Sequence, residues 1–406
     1  MDRKRVIAQI RLHQRNILLF YLLSVCTGLA FIYDLVLAIY YQNFGLTFTE
    51  ISFLFAIIAG TTLIAEVPTG VFADLYGKKK SILLGTLLFA VAFTMIVIGS
   101  TFVSFALASF CIGLSLAFSS GASQAFLYDT LKALKRSKDY LHVSSRMDVV
   151  WLVTTAGTSF FGPYLFGLNP HYPLIVSAIF SILAVLISLL LFEPPEQSVH
   201  KVVSLRQHAR LMLRGFQYII RRPILVWLLC VSVLGVITIR PFGEFLSVPF
   251  FRAQGFSMVS IGVLEMFATL LQAAILTTIP WIVRRFGRTV AWSLNLVGMG
   301  LMMFLVFTRS SLFLGSVLGI LWGLASMRLT LFDTTVNEYA TKKNRATIHS
   351  SLSFLASAVG LIALPGIGYL TDKTSTAGIV HLFAVCMFLG GTVLFIVYRK
   401  LHPRNI

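Results

Sequence analysis

Charge is what this sequence has least of. Only 12% of its 406 residues are Asp, Glu, Lys or Arg, while 57% are hydrophobic; an ordinary soluble domain carries about 25% charged residues. So little charge cannot cover a water-facing surface, which excludes a soluble globule and sets most of the chain against lipid or other apolar helices. Acids are scarcer still, 15 against 33 Lys and Arg, for a net charge of +18. A nucleic-acid binder would gather its basic residues on one folded face. Here they fall in short clusters between long apolar runs, the pattern of the positive-inside rule, so no nucleic-acid partner is expected.

Other absences narrow the chemistry. The four cysteines, Cys26, Cys111, Cys230 and Cys386, each stand alone in an apolar run. Without CxxC or Cys/His spacing, neither a disulfide framework nor a zinc site is implied, and they read as small buried apolar residues. There is no HExxH, no GxSxG and no P-loop, and the eight histidines are scattered. A hydrolase needs a nucleophile and base or a metal cluster, and a nucleotide-driven pump needs a phosphate cradle. No enzyme activity, cofactor or metal is therefore expected.

What is present is a series of apolar runs of about 20 residues, the length that spans a bilayer as a helix. They lie near 17–41, 50–72, 81–100, 103–128, 142–167 and 173–192, then near 224–250, 258–283, 289–308, 311–332, 347–370 and 376–398. The fold expected is all-α and membrane-embedded, twelve transmembrane helices arranged as two six-helix bundles over 1–192 and 223–406. The first run follows a basic stretch, as in a signal peptide. It is too long for one and lacks a small-residue cleavage site, so it reads as a retained first span.

Lys and Arg alternate sharply between loops: 28 of the 33 lie in the segments that share a side with the N-terminus, and only Arg252, Arg309 and Lys373 in the opposite loops. This places both termini and the central segment in the cytoplasm, with the protein in the cytoplasmic membrane. That segment, 193–222, opens with Glu193-Pro194-Pro195-Glu196, which must stop the sixth helix. From about Val203 to Arg222 it is amphipathic, with Leu205, Leu211, Leu213 and Ile219 among Arg206, Arg210, Arg214 and Arg221. Such a helix suits the anionic inner leaflet, and a partner-binding role is the other reading.

The halves repeat. At an offset of 210, Gly45-Leu46-Thr47 with Ile51 matches Gly255-Phe256-Ser257 with Ile261, and Tyr76-Gly77-Lys78 matches Phe286-Gly287-Arg288. The same offset superposes Asp34 on Glu244. At an offset of 204, Tyr128-Asp129-Thr130 matches Phe332-Asp333-Thr334. Two duplicated, pseudo-symmetric bundles are a transporter architecture, in which the substrate site lies between the halves near the midplane.

Between the second and third spans runs Gly70-Val71-Phe72-Ala73-Asp74-Leu75-Tyr76-Gly77-Lys78-Lys79-Lys80. It resembles the G-x-x-x-D-x-x-G-[RK]-[RK] loop signature of the major facilitator superfamily, with a degenerate copy at Arg284-Arg285-Phe286-Gly287-Arg288. The resemblance covers essentially the whole chain. It implies a gating loop of Gly70, Asp74, Gly77, Lys78, Gly287 and Arg288 that latches one conformation. In physical terms Gly70 permits close helix approach, Gly77 a tight turn, and Asp74 can sit at a neighbouring helix N-terminus. Glu66-Val67-Pro68-Thr69 resembles a run common in bacterial drug-exporter-like members. Gly157, Gly162-Pro163 and Gly167 are similar to the family's antiporter motif, but the spacing is one residue too long on each side and the last Gly is missing. These small residues equally suit tight helix packing. Where the family often carries an Arg linked to proton movement, four residues before a Gly, this chain has Ala117 before Gly121.

Ionisable groups inside spans are costly and mark function by default. Asp34, Arg240, Glu244, Glu265 and Arg328 are the deepest, with Glu66, Asp129, Asp148 and Asp333 nearer the cytoplasmic ends. Arg240 and Glu244, four apart, share a helix face as an ion pair, with Pro241 bending the stretch between them. Asp34, Glu244 and Glu66 are candidates for proton or cation coupling. Arg240, Glu265, Arg328 and Gln124 are candidates for the substrate path. A structural salt-bridge network joining the first and seventh helices is the competing account of Asp34 and Arg240/Glu244. Arg328 either draws an anionic group or pairs with Asp129 or Asp333. Asp129, Arg146, Asp148 and Asp333 suit gate or inter-helix contacts.

The function expected is secondary active transport: a proton-coupled exporter of small amphipathic or cationic compounds, working as a monomer by alternating access. A symporter or uniporter for a specific, anionic metabolite is the alternative within transport. A non-transporting membrane receptor is the alternative outside it.

Overall fold

A computed structural model of the chain describes residues 3–194, 205–308, 310–340 and 344–401. All regular structure among them is helical, as lipid requires when no water is present to satisfy backbone amides. Residues 195–204 of the central segment, Arg309, Lys342 and Lys343 lie outside the described residues.

The first sequence half forms α1 (Arg3–Ala30), α2 (Leu37–Asn43), α3 (Phe48–Tyr76), α4 (Lys78–Ile98), α5 (Phe102–Ala133), α6 (Tyr140–Leu168) and α7 (Tyr172–Leu189). After α8 (Leu205–Ile220) come α9 (Pro223–Pro241), α10 (Ser247–Ala253), α11 (Met258–Leu305), α12 (Ser311–Tyr339), α13 (Arg345–Lys373) and α14 (Thr376–Leu401). Eleven stretches are long and apolar enough to cross a membrane. The protein is thus a multi-pass membrane protein. Of the twelve expected spans, 258–283 and 289–308 are joined in the 48-residue α11, which is interrupted where Gly287 leaves helical geometry at φ 79°, ψ 168°. Large apolar side chains stand open to the surroundings, Ile362 at 80% and Ile64 at 75% exposure, as lipid-facing positions should.

Two expected spans are not single helices. The run 17–41 is broken by a 3-10 turn at Phe31–Tyr33 and a turn holding Asp34. The run 224–250 passes through a π-helical turn at Phe242–Leu246 that holds Glu244, directly after Pro241. The acids paired by the repeat therefore both sit where a membrane helix loses regular α geometry. Irregular turns of this kind are frequent at functional positions.

The repeat is also written in backbone angles. The only positive-φ glycines among the described residues are Gly45 (78°), Gly77 (99°), Gly255 (91°) and Gly287 (79°), two pairs at the offset of 210. Gly77 at ψ 148° and Gly287 at ψ 168° occupy a region that only glycine enters without strain. The caps repeat as well: Ser257 accepts from the Ser260 amide at 3.1 Å, and Thr47 from the Glu50 amide at 3.2 Å.

Two compact units emerge. One comprises residues 1–34 and 57–205, the other 35–56 and 206–406. In the first, Phe20 stacks on Phe126 with ring centroids 5.2 Å apart, and hydroxyls stitch helices together through carbonyls: Thr62 to Gly113, Thr69 to Ala117 and Ser81 to Phe118. In the second, Trp227, Trp292 and Tyr398 form an aromatic knot, and buried Asn295 donates to the Leu324 carbonyl at 2.6 Å.

The amphipathic helix α8 does more than face lipid. Ile219 is fully buried in the second unit's core, Phe216 packs on Phe354 at 6.1 Å, and the Tyr218 hydroxyl donates to the Tyr339 carbonyl at 3.2 Å. One face of the linker is thus bound to α12 and α13.

Gly287 tests the backbone argument, because a Cβ there would meet nothing within 4 Å. Gly287→Ala should lower stability by about 1–3 kcal/mol through strain alone. Helical Gly366, which also has open space around it, should tolerate alanine. Thermal unfolding in detergent compares the two.

Candidate functional site

The loop between α3 and α4 is built around an electrostatic problem. Lys78, Lys79 and Lys80 occupy the first turn of α4, the positive end of the helix dipole, where cations are disfavoured by about 0.3–1 kcal/mol each. Two acids resolve it. Lys78 pairs with Asp129 of α5. Glu193, just beyond α7, accepts from the Lys78 amide at 2.9 Å and the Lys79 amide at 2.7 Å, one bond to each carboxylate oxygen. The anion at this N-terminus is therefore Glu193, whose sequence signal was read only as a stop before two prolines. Asp74 is exposed. Gly70, expected to allow close helix approach, has nothing within 4 Å of where a Cβ would stand. In the second unit the matching Arg288 pairs with Glu338 of α12.

The first unit holds a partly open cavity of about 330 Å³ bounded by α1, α4, α5, α6 and α7. Phe20, Phe31, Phe89 and Tyr140 line it with a set of hydroxyls, Gln124 and Asp148, its one charged residue. Among the described residues, the side chains of Ser24, Ser123, Ser144, Gln124 and Asp148 make no hydrogen bond within the protein, which leaves them available to a solute. A second cavity, of about 490 Å³, lies in the same unit and is lined by Glu66, Asp74, Lys78 and Gln124 among others. Gln124 thus borders both. Arg146 and Asp148 are exposed on α6, and Asp148 faces the first cavity rather than an ion-pair partner.

The antiporter-like residues lie on α6. A Cβ at Gly162 would collide with the Ile32 carbonyl, whereas Gly157 has open space around it. Gly162 and Pro163 are buried and Gly167 is exposed. Close packing therefore accounts for Gly162. Ala117, standing where the family often has Arg, is buried and accepts from Thr69 at 3.0 Å.

In the second unit Arg240 Nε and Glu244 Oε1 form the expected pair at 2.7 Å, each side chain about one-third exposed. Beside it Trp322 stacks on Phe242 at 5.9 Å and donates to buried Glu265 at 3.3 Å. The pairing considered for Arg328 does not occur. Asp333 holds His349 at 2.8 Å and Asp129 holds Lys78. Instead Arg328 lies against Gly235 and donates to the Ser232 carbonyl at 3.4 Å.

This set of helices, loops and repeated turns matches the model of the Major Facilitator Superfamily over residues 17–363. The chain belongs to that superfamily. Relatives match in part. An uncharacterized MFS-type transporter of Methanocaldococcus jannaschii is 33% identical over 107 residues, 26% of this chain and 28% of that protein. Multidrug resistance protein 1 of Bacillus subtilis is 26% identical over 150 residues, 37% of this chain and 38% of that protein. The chain therefore spans well under half the length of either. Among solved structures, the nucleoside transporter NupG superposes with TM-score 0.77 at 13% identity, covering 96% of this chain and 99% of that one. A D-xylose-proton symporter gives 0.67 at 13% identity, covering 93% and 96%. At such identity these likenesses establish the fold.

Glu193→Gln keeps the shape of the cap but removes its charge. It should cost about 1–2 kcal/mol and loosen the loop, read as faster amide hydrogen exchange over residues 74–82.

Proposed function

We propose that this protein is a secondary transporter that carries small amphipathic or cationic compounds outward in exchange for protons, by alternating access. The observation that carries this reading is the first unit's cavity, where Asp148 stands without an ion-pair partner among four aromatic rings and several unengaged hydroxyls. A carboxylate beside aromatic faces favours an organic cation, and an apolar wall with few polar groups is the usual form of a small-molecule site. The neighbouring cavity adds Glu66 and Asp74, while its one cation, Lys78, is held by Asp129. The outward direction draws support from the partial likeness to a multidrug resistance protein. Asp34, at the helix break of the first unit, is the leading coupling residue, and Arg240 and Glu244 occupy the matching place in the second.

Arg328 favours a second reading. Its guanidinium lies beside α9 with no carboxylate partner among the described residues, so it suits an anionic solute carried by symport or uniport.

Inverted vesicles with an acid interior, followed with a pH-sensitive dye during addition of cationic, neutral and anionic compounds, separate these readings. A cationic compound should release protons in wild type, less in Asp148→Asn and not at all in Asp34→Asn. Uptake of a labelled anion without proton release, abolished by Arg328→Gln, replaces the first reading with the second. An unchanged response in Asp34→Asn returns that residue to a structural role.

A further inference from the structure

The first unit's cavity is built differently at its two ends. Tyr140, Ser144 and Asp148 line it at four-residue spacing and so share one face of α6. Asp148 is exposed, which puts it where the cavity opens. Trp151, one turn further along α6, meets Phe31 with ring centroids 6.0 Å apart. Phe31 in turn stacks on Phe89 at 6.1 Å, and both line the cavity. Gly28 permits this approach of α1 to α6, because a Cβ there would collide with the Thr154 hydroxyl. A carboxylate and an aromatic wall therefore face the same space about 5–10 Å apart, one helical turn plus the reach of a ring.

The open end offers acceptors as well as charge. Tyr128 of α5 meets Tyr140 at 5.5 Å, and one turn from that contact on each helix stand Gln124 and Ser144. Ser123 lies beside Gln124, and all three line the cavity with Asp148. None of the four spends its side chain on a hydrogen bond among the described residues. This decides the form of cation. A primary ammonium brings three N–H donors and gives up water on entry, so each donor needs an acceptor. A quaternary ammonium brings none and gains most from a cage of rings. Here the acceptors stand beside the carboxylate, while Phe31 and Phe89 stand about a turn away. Size narrows the occupant further. At about 330 Å³ the cavity is near the lower bound of ~300–1,000 Å³ for small-molecule sites, which suits one ring on a short chain rather than a polycyclic compound or a peptide.

We propose that this cavity binds a primary arylalkylamine, with its ammonium held by Asp148, Ser144 and Gln124 and its ring against Phe31 and Phe89. The assignment deepens the exporter reading, rests on that reading's choice of cavity, and places the ligand wholly within the first unit.

Equilibrium dialysis of the full-length protein in detergent, with tritiated phenethylamine and unlabelled competitors, tests it. The N-trimethylated derivative, phenethyl alcohol and hexylamine remove in turn the N–H donors, the charge and the ring. Each should compete about fivefold more weakly than phenethylamine, or worse. Ser144→Ala should weaken phenethylamine about fivefold and leave the trimethylated derivative unchanged, a split that loss of folding does not produce. Equal competition by the trimethylated derivative or by hexylamine overturns the assignment, as does the absence of saturable phenethylamine binding to wild type. Dialysis needs no proton gradient, so the two readings fail separately. Binding in the expected order without proton release in vesicles overturns the exporter reading alone, and proton release by cationic compounds without that order overturns this site alone.

Discussion

Everything in this molecule follows from the cost of leaving a backbone amide unsatisfied in lipid. Helices answer it along their length, but each helix start still presents free N–H groups. In a protein with only 15 acids, where those acids go is therefore a structural decision before it is a functional one. Glu193 takes the start of α4, Asp372 and Glu50 take the start of α3, and hydroxyls suffice at α5 and α11, where Thr101 and Ser257 are the caps.

The same scarcity explains what was legible in the sequence. Span positions follow from apolar length, and the turns at Gly77 and Gly287 follow from a repeat that only positive-φ glycine can satisfy. Span continuity was not legible. Nothing in the composition of 17–41 announces the break at Asp34, whereas Pro241 did foretell the irregular turn that holds Glu244. The expected spans 258–283 and 289–308 lie on either side of the kink at Gly287, where the repeat with Gly77 placed a turn. The Arg240–Glu244 pair was readable from a four-residue spacing. The contacts of Glu193 and Asp372 were not, because they reach across 114 to 324 positions of sequence, beyond any local pattern.

The two halves share their turns but not their charges. Each has a basic residue after the positive-φ glycine, and each neutralises it with an acid from a later helix, Asp129 for Lys78 and Glu338 for Arg288. The partners are not repeat-related: the counterpart of Asp129 is Asp333, which holds His349 instead. Duplication thus preserved the backbone device, which only glycine can build, while the ion pairs diverged, since a carboxylate can reach a loop cation from several positions. Geometry that admits one residue type is retained more strictly than electrostatics that admits many.

This allocation also bears on the cavities of the first unit. Among the described acids, Asp34 is engaged at its helix break, Asp129, Asp139, Glu244, Asp333 and Glu338 face a cation or histidine, Glu265 a tryptophan, and Glu50, Glu193 and Asp372 hold helix starts. Glu66, Asp74 and Asp148 have no such duty, and all three line cavities of the first unit. A membrane protein this poor in charge gains nothing structurally from an acid left unengaged beside a cavity, and burying such a group costs desolvation. These three are therefore the described acids left open to whatever occupies the two cavities of the first unit.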